Sequence, residues 1–306
     1  MPHEASRLDQ IFKSILVLLS ADDPTTFLEY VSDLAATDGA KLTIAINTSP
    51  HDRRKKLLRR PDVGLSQTVN RLKVQIPDVE IRQLVGTSFI EITREVLLQG
   101  HDLVVMSNDG ANTRQGFSLG KTSLQLMRTC PATILVIKKR SKKRPKRILA
   151  PIDPTSAQPE GRELNIKILE MAAAAARFYD ARVDVAHAWE VTGPDRDTLR
   201  SEVTDSMRER IISKHESKHS RPINELLADS AMEGIDYTTV LRRGIPGRVI
   251  PKIADETNPD LIVMGTVCRT GVSGFFIGNT AEHILRQVRC SVLTVKPKGF
   301  KSPVTL

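Results

Sequence analysis

The residues best suited to chemistry lie in a glycine-spaced segment, residues 260–282. The continuously apolar run Leu261 to Met264 is typical of a strand buried on both faces. A loop with four glycines follows this run, and its last glycine, Gly278, directly precedes the helix that we predict to begin at Asn279. In an arrangement of strand, glycine loop and helix N-terminus, backbone N–H groups converge on an anion. The segment therefore predicts an anion-binding loop.

The same plan recurs in the first half of the chain, which indicates an internal repeat. The matching segments are 15–19 with 148–152, 80–86 with 238–244, 102–106 with 260–264, 130–137 with 290–295, and Gly120 with Gly278. In each repeat apolar strands alternate with amphipathic helices, which predicts an α/β fold with a parallel sheet and helices on both faces. We predict two domains, residues 1–144 and 145–306, divided in a basic linker near Pro145.

Several helices of the second repeat are visible in the sequence. Apolar residues at positions 199, 203, 207 and 211 fall every four residues and predict one helical stripe. Gly244 and Pro246 are stop and start signals ahead of a second stripe, residues 249–254. Asn279 followed by Glu282 resembles a capping box, which predicts a helix start there.

Composition limits the class of protein. The chain has 306 residues, of which 40% are hydrophobic, enough for two domains with real cores. No segment approaches the roughly 20 apolar residues of a membrane span, and the N-terminus shows no signal-peptide pattern, so we expect no membrane insertion. Three cysteines without a CxxC motif favour the reducing cytoplasm.

Positive charge is concentrated in two segments of a chain whose formal net charge is +9. Eight of the ten residues 138–147 and six of the eight residues 53–60 are Lys or Arg. Such clusters can bind nucleic acid by releasing counterions from phosphates. The chain has only one Trp, three Tyr and eight Phe, and none interleaves with the clusters, so a stacking platform for single strands is not indicated. We favour a solvated linker and loop, and keep nucleic-acid binding by the basic linker as an alternative.

With these motifs the chain resembles the tandem universal stress proteins of the E type. The segment from Gly265 to Gly271, Gly-Thr-Val-x-Arg-Thr-Gly, and the segment Gly-Asn-Thr-Ala-Glu from Gly278 to Glu282 are close to a family signature. The resemblance implies two Rossmann-like domains of the adenine nucleotide alpha hydrolase-like class, each with a five-stranded parallel sheet. Some members of the family bind ATP.

Single-domain members of this family commonly dimerise through their last strands. For a tandem chain the resemblance implies that residues 133–137 lie beside residues 292–295, so that the two domains form an intramolecular pseudo-dimer. A further homodimer and unidentified protein partners are left open.

The resemblance also implies a nucleotide site in the second repeat. Nucleotide-binding members carry G-2x-G-9x-G-(S/T) after the fourth strand, and an aspartate closes their first strand. Gly265 and Gly278 fill the first and third glycine positions, whereas Cys268 replaces the second. The implied site for ATP or another adenine nucleotide, with no metal beyond a nucleotide-bound Mg, comprises Pro151, Ile152, Asp153, Ala188, Met264, Gly265, Cys268, Gly278, Asn279, Thr280 and Ala281.

Each of these positions has an expected role. Asp153 and Ala188 lie in the base and ribose region, while Gly265 lets the loop turn tightly. Gly278 keeps side-chain bulk away from a phosphate, and the amides of residues 279–281 donate to it at the positive end of a helix dipole. Asn279 replaces the usual Ser or Thr and is also a candidate for the helix cap.

The first repeat departs further from the nucleotide-binding pattern. Ser107 replaces the first glycine, Lys121 replaces Ser or Thr, and Ser20 replaces the aspartate, so that only Gly110 and Gly120 remain. Lys121 could still meet a phosphate as a point charge. We expect this repeat to be a structural partner.

One further motif is formally that of a zinc protease. His215 and His219 enclose Glu216 in an H-E-x-x-H pattern, which on a helix places both histidines on one face. The neighbours are charged, no third ligand follows at a recognisable spacing, and Pro222 is expected to end the helix. We favour an exposed polar helix end over a surface zinc site or a zinc-dependent hydrolase.

No set of residues indicates catalysis. The chain has neither a GxSxG elbow nor a GxxxxGK[ST] loop, and His187 is expected to be a satisfied strand histidine. Cys130 and Cys290 occupy equivalent positions where packing is expected, while Cys268 beside Arg269 is a candidate redox residue. We expect a cytoplasmic, non-enzymatic stress-response protein that binds an adenine nucleotide; a ligand-free adaptor with a vestigial loop is the alternative.

Overall fold

A computed structural model describes residues 11–19, 27, 30–34, 39–48, 70, 79–108, 119–138, 144–155, 159–266 and 277–306. The chain divides into two compact units. The first unit contains residues 1–143, 291–296 and 300–306, and the second contains residues 144–290 and 297–299.

Strands and helices alternate along both repeats, as the sequence predicts. The strands are β1 (Ser14–Leu18), β2 (Lys41–Thr48), β3 (Val79–Val85), β4 (Leu103–Ser107), β5 (Thr133–Ile137), β6 (Arg147–Pro151), β7 (Arg182–Trp189), β8 (Tyr237–Arg243), β9 (Leu261–Gly265) and β10 (Ser291–Val295). The helices bounded within the described residues are α1 (Ser88–Gln99), α2 (Lys121–Thr129), α3 (Pro159–Tyr179), α4 (Pro194–Arg200), α5 (Asp205–Ala228), α6 (Pro246–Thr257) and α7 (Asn279–Gln287).

The first unit contains the predicted five-stranded parallel arrangement, in the order β3-β2-β1-β4-β5. Strand β10 joins it antiparallel to β5, with Val292 opposite Val136 and Thr294 opposite Ile134. Both strands are buried along their whole length, and seven of their ten residues are apolar.

The second unit has four parallel strands in the order β9-β6-β7-β8. Strand β6 therefore has β7 on one side and β9 on the other, so the strand order reverses at β6. In open parallel sheets such a reversal leaves a crevice at the carboxyl ends of the strands, where ligands bind. The branched apolar side chains of β6, β7 and β9 form the core beneath that crevice.

A repeated aspartate fixes the start of the first strand in each unit. The carboxylate of Asp102 accepts the backbone N–H groups of residues 13 and 14 at 2.8 and 3.1 Å. The carboxylate of Asp260 accepts those of residues 146 and 147 at 2.8 and 3.3 Å. Each aspartate directly precedes the neighbouring parallel strand, so the pair of bonds ties two strand starts together.

Part of the basic linker serves the fold. Lys146 Nζ donates to the backbone carbonyls of Tyr179 and Asp180 and to the Asp180 carboxylate. Arg147 Nε donates at 2.5 Å to Asp184, whose side chain is 1% exposed. Both residues therefore have structural partners, which weakens the interpretation of residues 138–147 as a uniformly solvated run. Residues 139–143 and the basic segment 53–60 lie outside the described residues.

Two helix predictions in the second repeat were wrong. The stripe predicted at positions 199–211 is divided between α4 and α5, because Thr204 caps α5 by accepting the N–H of Met207 at 3.4 Å. Met207 is 48% exposed and does not belong to a buried stripe. Pro222 lies inside α5 instead of ending it. The buried residues after it, Ile223 and Leu226 among them, hold the last turns against the core despite the lost backbone hydrogen bond.

Other helix signals were correct. Helix α6 begins at Pro246, and Ile250, Ile253 and Ala254 are buried as the stripe predicts. Among the described residues, no helix combines the length and apolar character needed to cross a membrane.

Candidate functional site

A cavity of about 510 Å³ opens at the carboxyl ends of β6, β7 and β9 in the second unit. Its volume is within the range of small-molecule sites, about 300–1,000 Å³. Ten of the eleven predicted site residues line it, namely Pro151, Ile152, Asp153, Ala188, Met264, Gly265, Gly278, Asn279, Thr280 and Ala281. The eleventh, Cys268, lies outside the described residues, as does Arg269. The structure thus brings together residues from four separate segments of the sequence.

The start of α7 forms one wall of the cavity. Gly278 is the N-cap, and its N–H donates to the Thr266 carbonyl at 3.1 Å. The first hydrogen bond of the helix runs from Glu282 N–H to the Gly278 carbonyl at 3.0 Å. The amides of residues 279–281 precede this bond and therefore lack acceptors within the helix. They are available in position and polarity for an anion.

Asn279 is not the helix cap that the sequence left as a candidate. It occupies the first helical position. The cap residue is Gly278, which has no side chain to accept a helix N–H. The capping-box pattern with Glu282 correctly predicts where the helix starts but not which residue caps it. Asn279 is one of the residues that line the cavity.

Gly265 contributes to packing at the edge of the cavity. It is the last residue of β9, and a Cβ atom built on it would lie 2.7 Å from Cδ2 of Leu164 on α3. Real Cβ atoms essentially never approach a neighbour so closely. The glycine therefore allows α3 to pack closely on β9 at the cavity edge, and a larger residue would require the Leu164 side chain to shift. Residues 267–276 of the loop in which a tight turn was predicted lie outside the described residues.

Four hydrogen bonds hold the main chain of Ile152 and Asp153 at the cavity. Ile152 N–H donates to the Ala186 carbonyl at 2.9 Å, and the Ile152 carbonyl is 3.1 Å from His187 Nδ1. Asn165 bonds both ways with Asp153, accepting its N–H at 2.9 Å and donating to its carbonyl at 2.6 Å. This part of the wall is fixed before any ligand arrives.

The Asp153 carboxylate is tied to the turn that follows it. Its Oδ1 accepts the backbone N–H and the hydroxyl of Thr155 at 3.1 and 2.8 Å. The aspartate predicted from the resemblance therefore lies at the cavity, with one oxygen engaged in a local turn.

Sequence reasoning missed eight lining residues: Gly161, Leu164, Asn165, Ile168, His187, Pro246, Ile250 and Ile284. Most are apolar positions on helix faces, whose pattern indicates burial but not a cavity. Asn165 did carry a signal, because a buried polar residue on the apolar face of an alanine-rich helix needs partners. His187 carried the same signal within an apolar strand.

The two histidines of the H-E-x-x-H pattern are not on an exposed helix end. His215 is 6% exposed, and its Nε2 lies 3.0 Å from Asp195 of α4. His219 Nδ1 lies 3.0 Å from His187 Nε2. The Trp189 ring stacks on both, with centroids 5.4 Å from His219 and 6.5 Å from His215. The interpretation as a solvated helix end was wrong.

The histidine cluster does not have the arrangement of a metal centre. Among the described residues, no group of three or more His, Cys, Asp or Glu is placed to hold a metal ion. Burial lowers the pKa of His187 below its ordinary value, and burial followed by the neighbouring charges of His187, His215 and Lys218 lowers that of His219. Both rings are therefore neutral near pH 7.

The first unit differs at the equivalent positions. Gly120 caps α2 as Gly278 caps α7, and its N–H donates to the Asn108 side chain at 3.2 Å. Ile46 of β2 stands where His187 stands in β7, as the parallel strand registers show. Ser20 and Gly110 lie outside the described residues. Cys130 and Cys290 are buried, and burial raises the pKa of Cys130 to about 12, so its thiol stays protonated.

Sequence comparison matches both repeats to one family. The model of the universal stress protein family matches residues 12–138 and again residues 145–296. The chain belongs to the universal stress protein family. Its two matches confirm the predicted tandem organisation of two universal stress protein domains.

Similar proteins agree with this assignment. Universal stress protein E of Escherichia coli K12 is 28% identical over 227 residues, which cover 71% of this chain and 68% of that protein. A functionally unknown protein from Pseudomonas aeruginosa PAO1 has a similar structure, with a TM-score of 0.74, 23% identity and 95% of both chains covered. A universal stress protein from Archaeoglobus fulgidus has a TM-score of 0.58 and 15% identity, covering 94% of this chain and 99% of that chain. These structural likenesses show the shared α/β fold.

Proposed function

We propose that the second domain of this universal stress protein binds ATP or another adenine nucleotide, and that the protein acts as a non-catalytic stress-response regulator. The observation that carries the proposal is the convergence of ten predicted site residues on one cavity. Those residues come from four separate segments, which meet at the carboxyl ends of β6, β7 and β9.

The two ends of the cavity have chemistry suited to the two ends of a nucleotide. The amides of residues 279–281 offer three converging donors to a phosphate at the start of α7. Ile152, Ala188, Ile168 and Ile250 supply apolar surface for a base. Asp153 lines the same cavity beside the strand ends, where the family resemblance implies the base and ribose region. Mg would accompany a bound nucleotide and supply charge neutralisation to its phosphates.

The alternative is a ligand-free adaptor with a vestigial loop. One observation favours it: the packing of Leu164 already explains why residue 265 is a glycine. Direct analysis of the native protein separates the two. We expect mass spectrometry of ligand released from purified protein to detect an adenine nucleotide, and calorimetry of ligand-stripped protein to show ATP binding. If the purified protein carries no nucleotide and binds none at millimolar ATP, the result favours the ligand-free adaptor over the nucleotide-binding protein.

A proline substitution tests the role of the α7 amides. Asn279→Pro removes one backbone donor at the first helical position, where proline is tolerated because the preceding Gly278 is extended at ψ 138°. Asn279→Ala removes only the side chain. A hydrogen bond to a charged group contributes about 1.5–3 kcal/mol, so Asn279→Pro should bind ATP about 10–100-fold more weakly than Asn279→Ala.

The first domain provides a matched control for this substitution. Lys121 occupies the first position of α2, and its preceding Gly120 is equally extended at ψ 167°. Lys121→Pro should leave ATP affinity unchanged. Equal affinities for Asn279→Pro and Asn279→Ala would show that the helix start does not contact the phosphates.

A further inference from the structure

The histidine pair formed by His187 and His219 contacts the proposed nucleotide site through its wall. His187 lines the cavity, and its Nδ1 lies 3.1 Å from the carbonyl of Ile152, another lining residue. Its other nitrogen, Nε2, lies 3.0 Å from His219 Nδ1 on α5. A chain of two hydrogen bonds thus connects helix α5 to the cavity wall.

The acceptor at one end of this chain determines where the protons are. A carbonyl oxygen only accepts, so His187 Nδ1 must carry the hydrogen that bonds to Ile152. Neutral His187 then has a lone pair at Nε2, and His219 must donate from Nδ1. Burial lowers the pKa of both histidines, which keeps both rings in this neutral form near pH 7. The pair is therefore directional, and each ring has one defined tautomer.

The ring of His219 is held in place on its other sides. Trp189 of β7 stacks on it with centroids 5.4 Å apart and planes inclined by 24°. His215 and Lys218, also on α5, act with burial to lower the pKa of His219. His215 is itself occupied by Asp195 of α4, which also accepts from Lys214 at 3.1 Å. Of these contacts, the Trp189 stack is the one made with the His219 ring itself, and it orients His219 toward His187.

We propose that His219 is a positioning residue of the nucleotide site: it orients His187, which in turn fixes the Ile152 carbonyl and the adjoining Asp153 at the cavity wall. This inference rests on the proposed function for its effect on binding. It gives the H-E-x-x-H pattern a role that needs no metal. Ile46, at the position equivalent to His187 in the first domain, has no polar atom in its side chain and cannot form this bond.

Three variants test the proposal by ATP calorimetry. His219→Phe keeps an aromatic ring against Trp189 but has no N–H, so ATP affinity should fall about five- to tenfold, the size of one lost hydrogen bond. His219→Asn returns an amide N–H near the position of Nδ1 and should recover most of the loss. His215→Phe changes the other histidine of the motif, which has no bond to His187, and should bind ATP like wild type. Wild-type affinity in His219→Phe, or equal losses in all three variants, overturns the proposal.

A second measurement needs no nucleotide. In the free protein at pH 7.5, ¹H–¹⁵N correlation of the imidazole nitrogens should show His187 and His219 protonated at Nδ1. Amide hydrogen exchange at Ile152 and Asp153 should be faster in His219→Phe and return toward wild type in His219→Asn. A proton on His187 Nε2, or exchange rates that do not respond, refutes the positioning role. Should wild-type protein bind no nucleotide, the proposed function fails while this measurement still decides the role of His219.

Discussion

Lys296 is the buried charge whose removal has the most clearly defined consequence. The side chain is 3% exposed at the end of β10 in the first unit, where its Nζ donates to the Met127 carbonyl and lies 4.4 Å from the centroid of the Phe300 ring. Burial lowers the pKa of Lys296 from 10.5 to about 8. Methionine keeps an unbranched stem of similar length, so Lys296→Met removes the ammonium group with little change of shape.

The sign of the effect follows from proton binding. Between pH 8 and 10.5 the unfolded chain binds more protons at this site than the folded protein, so stability rises with pH in that window. Below pH 8 both states are charged and the full penalty applies. A difference of about 2.5 pKa units, at about 1.4 kcal/mol each, corresponds to about 3 kcal/mol.

The substitution also removes favourable contacts. The hydrogen bond to Met127 and the cation–π contact with Phe300 contribute about 1–2 kcal/mol together. Lys296→Met should therefore be about 1–2 kcal/mol more stable than wild type at pH 7. Above pH 10.5 the amine is neutral in both the folded and the unfolded state, the penalty is absent, and the variant should be equal or less stable.

Urea unfolding followed by circular dichroism at pH 7 and pH 10.5 measures the difference in stability between Lys296→Met and wild type at each pH. Both proteins lose stability above pH 9 because the pKa of Cys130 is raised to about 12 in the fold, so the two are compared in the same buffer. Lys298→Met, an exposed neighbour, is the control and should change stability little at either pH. A Lys296→Met protein that is less stable than wild type at pH 7, or whose advantage is the same at both pH values, would refute the reasoning.

Two further predictions concern packing and strand starts. Gly265→Ala should lower the free energy of unfolding by about 1–3 kcal/mol through overpacking against Leu164. The double variant with Leu164→Ala should lose less stability than the two single losses added together. Strict additivity of the losses in urea unfolding would contradict the contact. Asp260→Asn should cost about 1–3 kcal/mol, because its carboxylate accepts two backbone N–H groups at the start of β6, and Asp102→Asn should cost a similar amount in the first unit. A negligible loss in thermal or urea unfolding for either aspartate would show that these bonds do not hold the strand starts.

Strands were predictable from the sequence because they are buried on both faces. Runs such as residues 102–106 and 260–264 are nearly continuous in apolar residues, which few other environments require. Their alternation with amphipathic helices then predicted a parallel sheet. The family resemblance named ten residues that line one cavity. The predicted domain boundary at residues 144 and 145 stays a prediction.

Contacts between distant side chains were not predictable in the same way. His187 and His219 are 32 positions apart, and their hydrogen bond depends on where α5 lies against β7. The motif spacing of His215 and His219 indicates only a shared helix face, which suits a metal, a solvent face and a buried pair equally well. Pro222 misled for a related reason, since burial of the residues after it outweighs the local cost of a proline.

The two repeats differ in the contacts of the residue that follows their first strand. In both, the residue after the first strand donates its N–H to the second strand, Leu19 to Ala45 and Ile152 to Ala186. Only in the second repeat does the next position of the second strand carry a side chain, His187, that can hold the carbonyl of that same residue. The two repeats thus share the backbone hydrogen bond between the first and second strands. They differ in the side chain that holds the adjacent carbonyl at the cavity wall, which is His187 in the second repeat. Both repeats share a glycine cap at the helix start, Gly120 and Gly278, so this cap cannot by itself decide which repeat binds a nucleotide.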